Sequence, residues 1–193
     1  MESALPLQTG SHTRRLPSAV LGTIIFIAAE VMFFAALMSA NTIARATALG
    51  GVWPPPGQPR LPVEQTAVNT TALLLSGILL WMGNRLRGKA SEVAERCVMG
   101  SIVLGIAFVS LQGVEWIGLL REGLTLTSSS HGGFFYLIVG AHALHVVAAI
   151  VVLTWAYRGV VRKAVAPEIF TAARLFWYFV VLLWPVIYWR VYL

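Results

Sequence analysis

Residues Pro17 to Ala40 read PSAVLGTIIFIAAEVMFFAALMSA, an apolar run of 24 residues interrupted once, near its middle, by Glu30. Wound as an α-helix at about 1.5 Å per residue, the run is long enough to cross the roughly 30 Å hydrocarbon core of a bilayer. Arg14 and Arg15 precede it, the order found in a secretory signal. However, a signal's apolar region is only about 7–15 residues long and ends at a small-residue cleavage site, and this run is longer, carries a carboxyl group and lacks such a site. It reads as a membrane span.

Working outward, comparable runs fall at 66–84, 97–120, 132–157 and 172–192. The composition agrees: of 193 residues, 58% are hydrophobic and 11% charged, with a mean hydropathy of +0.76, too apolar for one soluble core. In lipid every backbone N–H and C=O needs an internal partner, so helices are required, and these runs are about twice the 9–11 residues of a barrel strand. The sequence therefore predicts an all-α polytopic membrane protein, a bundle of five transmembrane helices. Residues 1–16 form an N-terminal cytoplasmic tail and 17–193 one membrane domain.

Charge sets the orientation. Arg14, Arg15, Arg85, Arg87, Lys89, Arg96, Arg158, Arg162, Lys163 and Arg174 flank the spans on one side, and Arg45, Arg60, Arg121 and Arg190 on the other. The positive-inside rule then puts the N-terminus in the cytoplasm and the C-terminus outside. The formal charge of +6 lies between apolar runs rather than on one basic face, so nucleic acid is not expected as a partner. All eight acids are glutamates. The single Cys97 excludes an internal disulfide, a pair of zinc thiolates and a C-x-x-C-H haem attachment. Without a G-x-S-x-G elbow, an H-E-x-x-H helix, a P-loop or G-x-G-x-x-G, the chain offers no nucleophilic or nucleotide chemistry, and no catalytic residue is assigned. The lack of a repeat, with an odd span count, argues against an inverted-repeat transporter.

Only one connection is long, from Asn41 to Gln65, and it contains Gly50-Gly51-Val52-Trp53-Pro54-Pro55-Pro56-Gly57. Three prolines hold φ and stiffen the run, so an ordered outer loop is expected, with a plain Pro-rich linker as the alternative. Trp53, Trp81, Trp116, Trp155, Tyr157 and Trp189 fall near span ends, where amphipathic rings anchor at the interface.

Charge at membrane depth costs about 2.5–3.5 kcal/mol on insertion scales, so each ionisable group inside a span needs a reason. Glu30 shares its helical face with Thr23, Phe26, Phe33, Phe34 and Asn41, apolar surroundings that disfavour the charged form. It is either a functional carboxyl or a protonated one hydrogen-bonded to a neighbouring helix. Gln112 and Glu115 lie at i and i+3, hence on one face. His142 and His145 repeat that spacing beside Ala141, Ala148 and Ala149, small residues that mark a face packed on protein. A zinc site needs at least three protein ligands. His131 at the outer edge and His12 in the tail do not complete one, so no metal is expected. The histidines are expected to be buried and hydrogen-bonded, with Glu115 or Glu30 as partners. Ser101-x-x-x-Gly105 adds a candidate close helix contact.

The motifs also form an ordered set. Ala29-Glu30-Val31-Met32-Phe33-Phe34, Trp53-Pro54-Pro55-Pro56-Gly57, Asn69-Thr70-x-x-Leu73-Leu74-Leu75, Leu111-Gln112-x-x-Glu115 and Phe134-Phe135-x-x-x-x-Gly140-x-His142-x-Leu144-His145-Val146 resemble, in order and spacing, subunit III of haem-copper cytochrome c oxidases. The likeness covers nearly the whole chain after residue 17. Members commonly have seven helices, and this chain is similar to a shorter five-helix form without the first two. The resemblance implies a non-catalytic subunit of a proton-translocating oxidase in aerobic respiration. Haem and copper would reside in partner subunits and none in this chain. Subunit I would be the main contact, with subunit II nearby, bound phospholipid in a cleft, a route for oxygen, and membership of a larger respiratory assembly left open. Glu30 matches the family's membrane-embedded carboxylate, linked there to sustained turnover and proton uptake, and Gln112, Glu115, His142 and His145 match its internal polar contacts.

One motif departs. Where the family's last helix usually reads W-H-F-x-D-x-x-W, this chain has Trp177-Tyr178-Phe179-Val180-Val181-Leu182-Leu183-Trp184, with Tyr178 for the His and Val181 for the Asp. Rival readings are subunit III of a quinol oxidase and the accessory protein of nitric oxide reductases, from which the Trp53 to Gly57 loop and a Glu at position 30 lean away. From other classes come a stand-alone proton pathway through Glu30, Glu115, His142 and His145, and a small metalloenzyme on the two histidines.

Overall fold

The computed structural model describes residues 16–48, 52–88 and 90–193. His12, Arg14 and Arg15 of the expected tail, with Gly50, Gly51 and Lys89, lie outside the described residues. Five helices follow one another: α1 (Ser18–Ala46), α2 (Val63–Leu86), α3 (Ser91–Arg121), α4 (Ser130–Val161) and α5 (Pro167–Val191). All five are long and apolar enough to cross a membrane, and no strand occurs among the described residues.

The helices outrun the apolar stretches that announce them. α1 continues through Asn41 to Ala46 and α2 starts at Val63, so the expected Asn41 to Gln65 connection shrinks to residues 47–62. Asn41 is polar but turns inward and is buried, so hydrogen-bonded backbone carries the helix past the apolar run.

Local sequence explains most boundaries. Pro17 precedes α1 and Pro167 opens α5 at a position whose N–H would go unused in any case. At α4, Ser129 Oγ accepts from Gly132 N at 3.1 Å, satisfying one of the free first-turn donors. α3 ends in a Schellman motif: Leu124 N donates to Leu119 O and Gly123 N to Leu120 O, with Gly123 at φ +89°. Leu119 and Leu124 both reach the core, the contact that usually accompanies this cap. α4 ends in the same way, Ala164 N to Gly159 O and Lys163 N to Val160 O, but with Lys163 rather than glycine at φ 56°.

α5 lies between α1, α2 and α4, while α3 packs on α2 and α4. The core is built from Trp177, Trp184, Phe34, Phe108, Phe135 and Phe170. Gly105 faces the Trp177 ring so closely that a Cβ there would overlap it, so the Ser101-x-x-x-Gly105 face admits an indole from α5. Val181, at the departure from the family pattern, is buried against Gly77 of α2, an apolar contact.

Trp81, Trp155 and Trp189 are exposed, as interface anchors should be, but Tyr157 is not: it is buried with its ring 5.9 Å from that of Phe170. The pull is inward because Phe170 also collects the guanidinium groups of Arg87, at 4.4 Å, and Arg174, at 5.3 Å. α1 is the peripheral helix, with only Val20, Phe34 and Asn41 buried.

Candidate functional site

The expected polar residues separate into two clusters. The first joins α1 to α4. Glu30 Oε2 lies 3.0 Å from His145 Nε2, and the two side chains are 19% and 16% exposed. His145 Nδ1 is 2.7 Å from the carbonyl of Ala141, one turn back. A carbonyl only accepts, so Nδ1 carries a hydrogen, and neutral imidazole then leaves Nε2 as a bare acceptor. The Glu30 contact is a hydrogen bond when one proton lies between Oε2 and Nε2. With the proton on either atom the pair is electrically neutral overall, which explains its tolerance in apolar surroundings. Phe26, Phe34 and Phe176 surround the imidazole, at ring separations of 6.5, 5.4 and 6.3 Å. Phe33, expected on the Glu30 face, is 43% exposed.

His142 does not join its neighbour. It is fully buried, stacked on Trp184 at 4.9 Å with Phe34 and Phe108 edge-on, and neither ring nitrogen has a hydrogen-bond partner. The small-residue face is only partly used: Ala149 is buried whereas Ala148 is exposed. Among the described residues no three His, Cys, Asp or Glu side chains gather as a metal ion would require.

The second cluster joins α2, α3 and the end of α5. Glu115 Oε2 is 2.7 Å from Thr66 Oγ1, and Glu115 Oε1 accepts from the Tyr192 hydroxyl at 2.7 Å. Gln112 Nε2 donates to Tyr192 Oη at 3.2 Å, and Asn69 Nδ2 lies near both Gln112 Oε1 and the Phe108 carbonyl. Thr66 Oγ1 is also 2.9 Å from the Pro62 carbonyl. One hydroxyl hydrogen cannot serve two acceptors at once: Thr66 either donates to Glu115 Oε2, the Pro62 carbonyl keeping its bond from Thr66 N at 3.1 Å, or accepts a proton from Glu115 and donates to Pro62. Nearby, Trp184 Nε1 donates to Thr70 Oγ1 at 2.8 Å.

Sequence reasoning missed Tyr192, Thr66 and Trp184 as members of this network. A signal existed for Thr66, since Thr66, Asn69 and Thr70 occupy i, i+3 and i+4 on one face of α2 and call for a polar partner face. For Tyr192, near the end of the chain, no spacing rule points to α3.

The loop carrying Trp53, Pro54, Pro55, Pro56 and Gly57 is tied down at two points. Trp53 meets His131 edge-on at 5.2 Å, and Ser128 Oγ lies 3.1 Å from Gln58 Oε1 and 3.0 Å from the Thr125 carbonyl.

With these two polar clusters in place, the chain can be set beside known proteins. The family model for cytochrome c oxidase subunit III matches residues 3–193. The chain belongs to the cytochrome c oxidase subunit III family. It is 31% identical to a probable cytochrome c oxidase subunit 3 of Mycobacterium leprae, covering 94% of this chain and 91% of that protein. A probable cytochrome c oxidase subunit 3 of Nocardia farcinica is 31% identical over 90% of this chain and 87% of its own length. Cytochrome c oxidase subunit 3 of Homo sapiens is 31% identical, with 95% and 72% covered. As a family member the chain is a membrane-embedded, non-catalytic component of an oxidase complex. That places the ordered motifs above the readings as a lone ion pathway or a small metalloenzyme.

Proposed function

We propose that the chain supports the catalytic subunit of a haem-copper cytochrome c oxidase in the plasma membrane of a bacterium. Its N-terminus would be cytoplasmic and its C-terminus periplasmic, residues 1–16 forming the tail and 17–193 the membrane domain. Subunit I is the main contact and subunit II a second one, and these partners hold the haem and copper. Phospholipid packs along the exposed face of α1, where apolar oxygen also partitions on its way to the buried centre. Cytochrome c is the electron donor.

The observation that carries this reading is the 3.0 Å contact between Glu30 Oε2 and His145 Nε2 at the edge of the bundle. A group that exchanges a proton at the boundary of the bundle, beside a partner subunit, helps replace protons that turnover consumes. Gln112, Glu115 and His142 belong to the scaffold that keeps the bundle rigid. Turnover of the complex followed to inactivation tests the assignment. Glu30→Gln keeps a donor towards His145 Nε2 but cannot release a proton, so assembly and initial oxygen reduction stay near wild type while the active lifetime shortens. Loss of all initial activity, or an unchanged lifetime, contradicts the role.

Orientation rests on the ten basic residues against four. Gln58→Cys in a Cys97→Ser background, labelled in intact cells with a membrane-impermeant thiol reagent, is expected to react. Labelling only after lysis reverses the topology.

A further inference from the structure

A pocket of about 420 Å³ opens between α2 and α3, lined by Gln65, Val68, Asn69, Leu111, Val114 and Glu115. Its rim is apolar and turned away from the bundle, with Val68 69% and Val114 67% exposed. Its inner wall is polar and buried, Asn69 being 3% and Glu115 9% exposed. Asn69 Oδ1 has no hydrogen-bond partner among the described residues. Turning the amide over does not supply one. Nδ2 lies 3.2 Å from the Phe108 carbonyl and 3.4 Å from Gln112 Oε1, so a flip would set acceptor against acceptor. Tying α2 to α3 accounts for the N–H half of this amide. It does not account for the oxygen, whose burial without a donor carries the full cost of desolvation.

The wall selects its ligand by charge and by hydrogen-bonding sense. Asn69 Oδ1 accepts and cannot donate, so the ligand must bring an O–H or N–H. No lysine or arginine lines the pocket, so an anionic head group meets no countercharge there. The apolar rim admits molecules dissolved in the membrane. Asn69 lies six residues into α2 and Glu115 six residues before the end of α3, so both sit about 9 Å from a helix end at about 1.5 Å per residue. That depth suits a small polar group carried on an apolar body, and the volume falls within the roughly 300–1,000 Å³ of small-molecule sites.

We infer that this pocket binds the hydroxyl group of an uncharged, membrane-dissolved molecule, of the kind that a hydroquinone ring or a terpenoid alcohol carries, with the hydroxyl donating to Asn69 Oδ1. The assignment is of binding alone. It is independent of the Glu30 and His145 contact, so the two can fail separately.

The test uses the assembled complex in mild detergent, kept anaerobic and fully reduced so that no turnover occurs. The probe is a para-hydroquinone with a decyl chain bearing a diazirine, photoactivated and mapped by peptide mass spectrometry. Label is expected on the α2 and α3 peptides that carry Val68, Leu111 and Val114. The probe's dimethyl ether keeps the ring but has no O–H, and should label them about three- to tenfold less, the loss of one buried hydrogen bond. Asn69→Leu should lower hydroquinone labelling by a similar factor. Val114→Trp, at the exposed rim and outside the hydrogen-bond network, should block it, and Ile78→Trp, exposed elsewhere on α2, should leave it unchanged. If Asn69→Leu does not assemble, Val114→Trp decides. Competition by excess farnesol assigns a hydroxyl on any apolar carrier, and its failure assigns the hydroquinone ring; either result upholds the site. Equal labelling by the dimethyl ether, or of Val114→Trp and wild type, overturns the proposal. So does label on a partner subunit in place of α2 and α3, which would make the pocket a contact between subunits.

Discussion

Replacing Glu115 separates two accounts of a buried carboxyl. If the donor pattern around Glu115 closes because the group is protonated, Glu115→Gln preserves it: the amide donates to Thr66 and its carbonyl accepts from Tyr192, at the positions where 2.7 Å contacts now stand. Glu115→Leu removes both bonds. Interhelical hydrogen bonds in membranes contribute about 0.6 kcal/mol on average and up to about 1.7, so Leu should destabilise by about 1–3 kcal/mol and Gln by less than about 0.5. Tyr192→Phe also breaks two bonds, one towards Glu115 and one from Gln112, and should cost about 1–3 kcal/mol by the same reckoning. The double variant Glu115→Leu/Tyr192→Phe loses three distinct bonds rather than four, so its cost falls short of the sum of the singles by about one hydrogen bond. Denaturation of the full chain in mixed micelles, followed by far-UV circular dichroism, measures the four variants against wild type. On the protonated account, infrared difference spectra show a carboxyl band that Glu115→Gln abolishes. The reasoning fails if Gln proves as damaging as Leu, for then the site requires a carboxylate charge.

Gly105→Ala drives a methyl group into the Trp177 ring and should cost about 1–3 kcal/mol in the same denaturation assay, with Gly105→Ala/Trp177→Phe recovering part of it. Lys163→Gly relieves a left-handed residue at the end of α4 and should stabilise by about 1 kcal/mol, whereas Lys163→Ala should not. Trp184→Phe keeps the stacking on His142 but loses the bond to Thr70, so a loss of about 0.6–1.7 kcal/mol is expected, and a loss beyond about 3 would show that packing, not the hydrogen bond, dominates there.

Five spans were legible because the constraint that produces them is local. A hydrocarbon layer of about 30 Å demands a certain run length, and the backbone must satisfy itself within it, whatever the neighbouring helices do. The ordered motifs from Glu30 to Val146 were equally visible, and they led to the family that the comparisons show. Helix ends were less legible, because a helix such as α1 continues beyond the apolar run once a residue like Asn41 can turn inward. Tyr157, counted among the interface rings, was drawn inside by Phe170 of the next helix.

Pairing was decided only in three dimensions. Spacing of i and i+3 puts His142 beside His145 and Gln112 beside Glu115 on one helix, but says nothing of what the opposite helix presents. Packing of α1 on α4 gave His145 to Glu30 and sent His142 into the aromatic core, and the closing turn of α5 brought Tyr192 to Glu115 across 77 positions of chain. In a medium without water each polar group must take whichever partner the tertiary fold delivers, so the chemistry of these residues was written in the sequence and their partnerships in the packing.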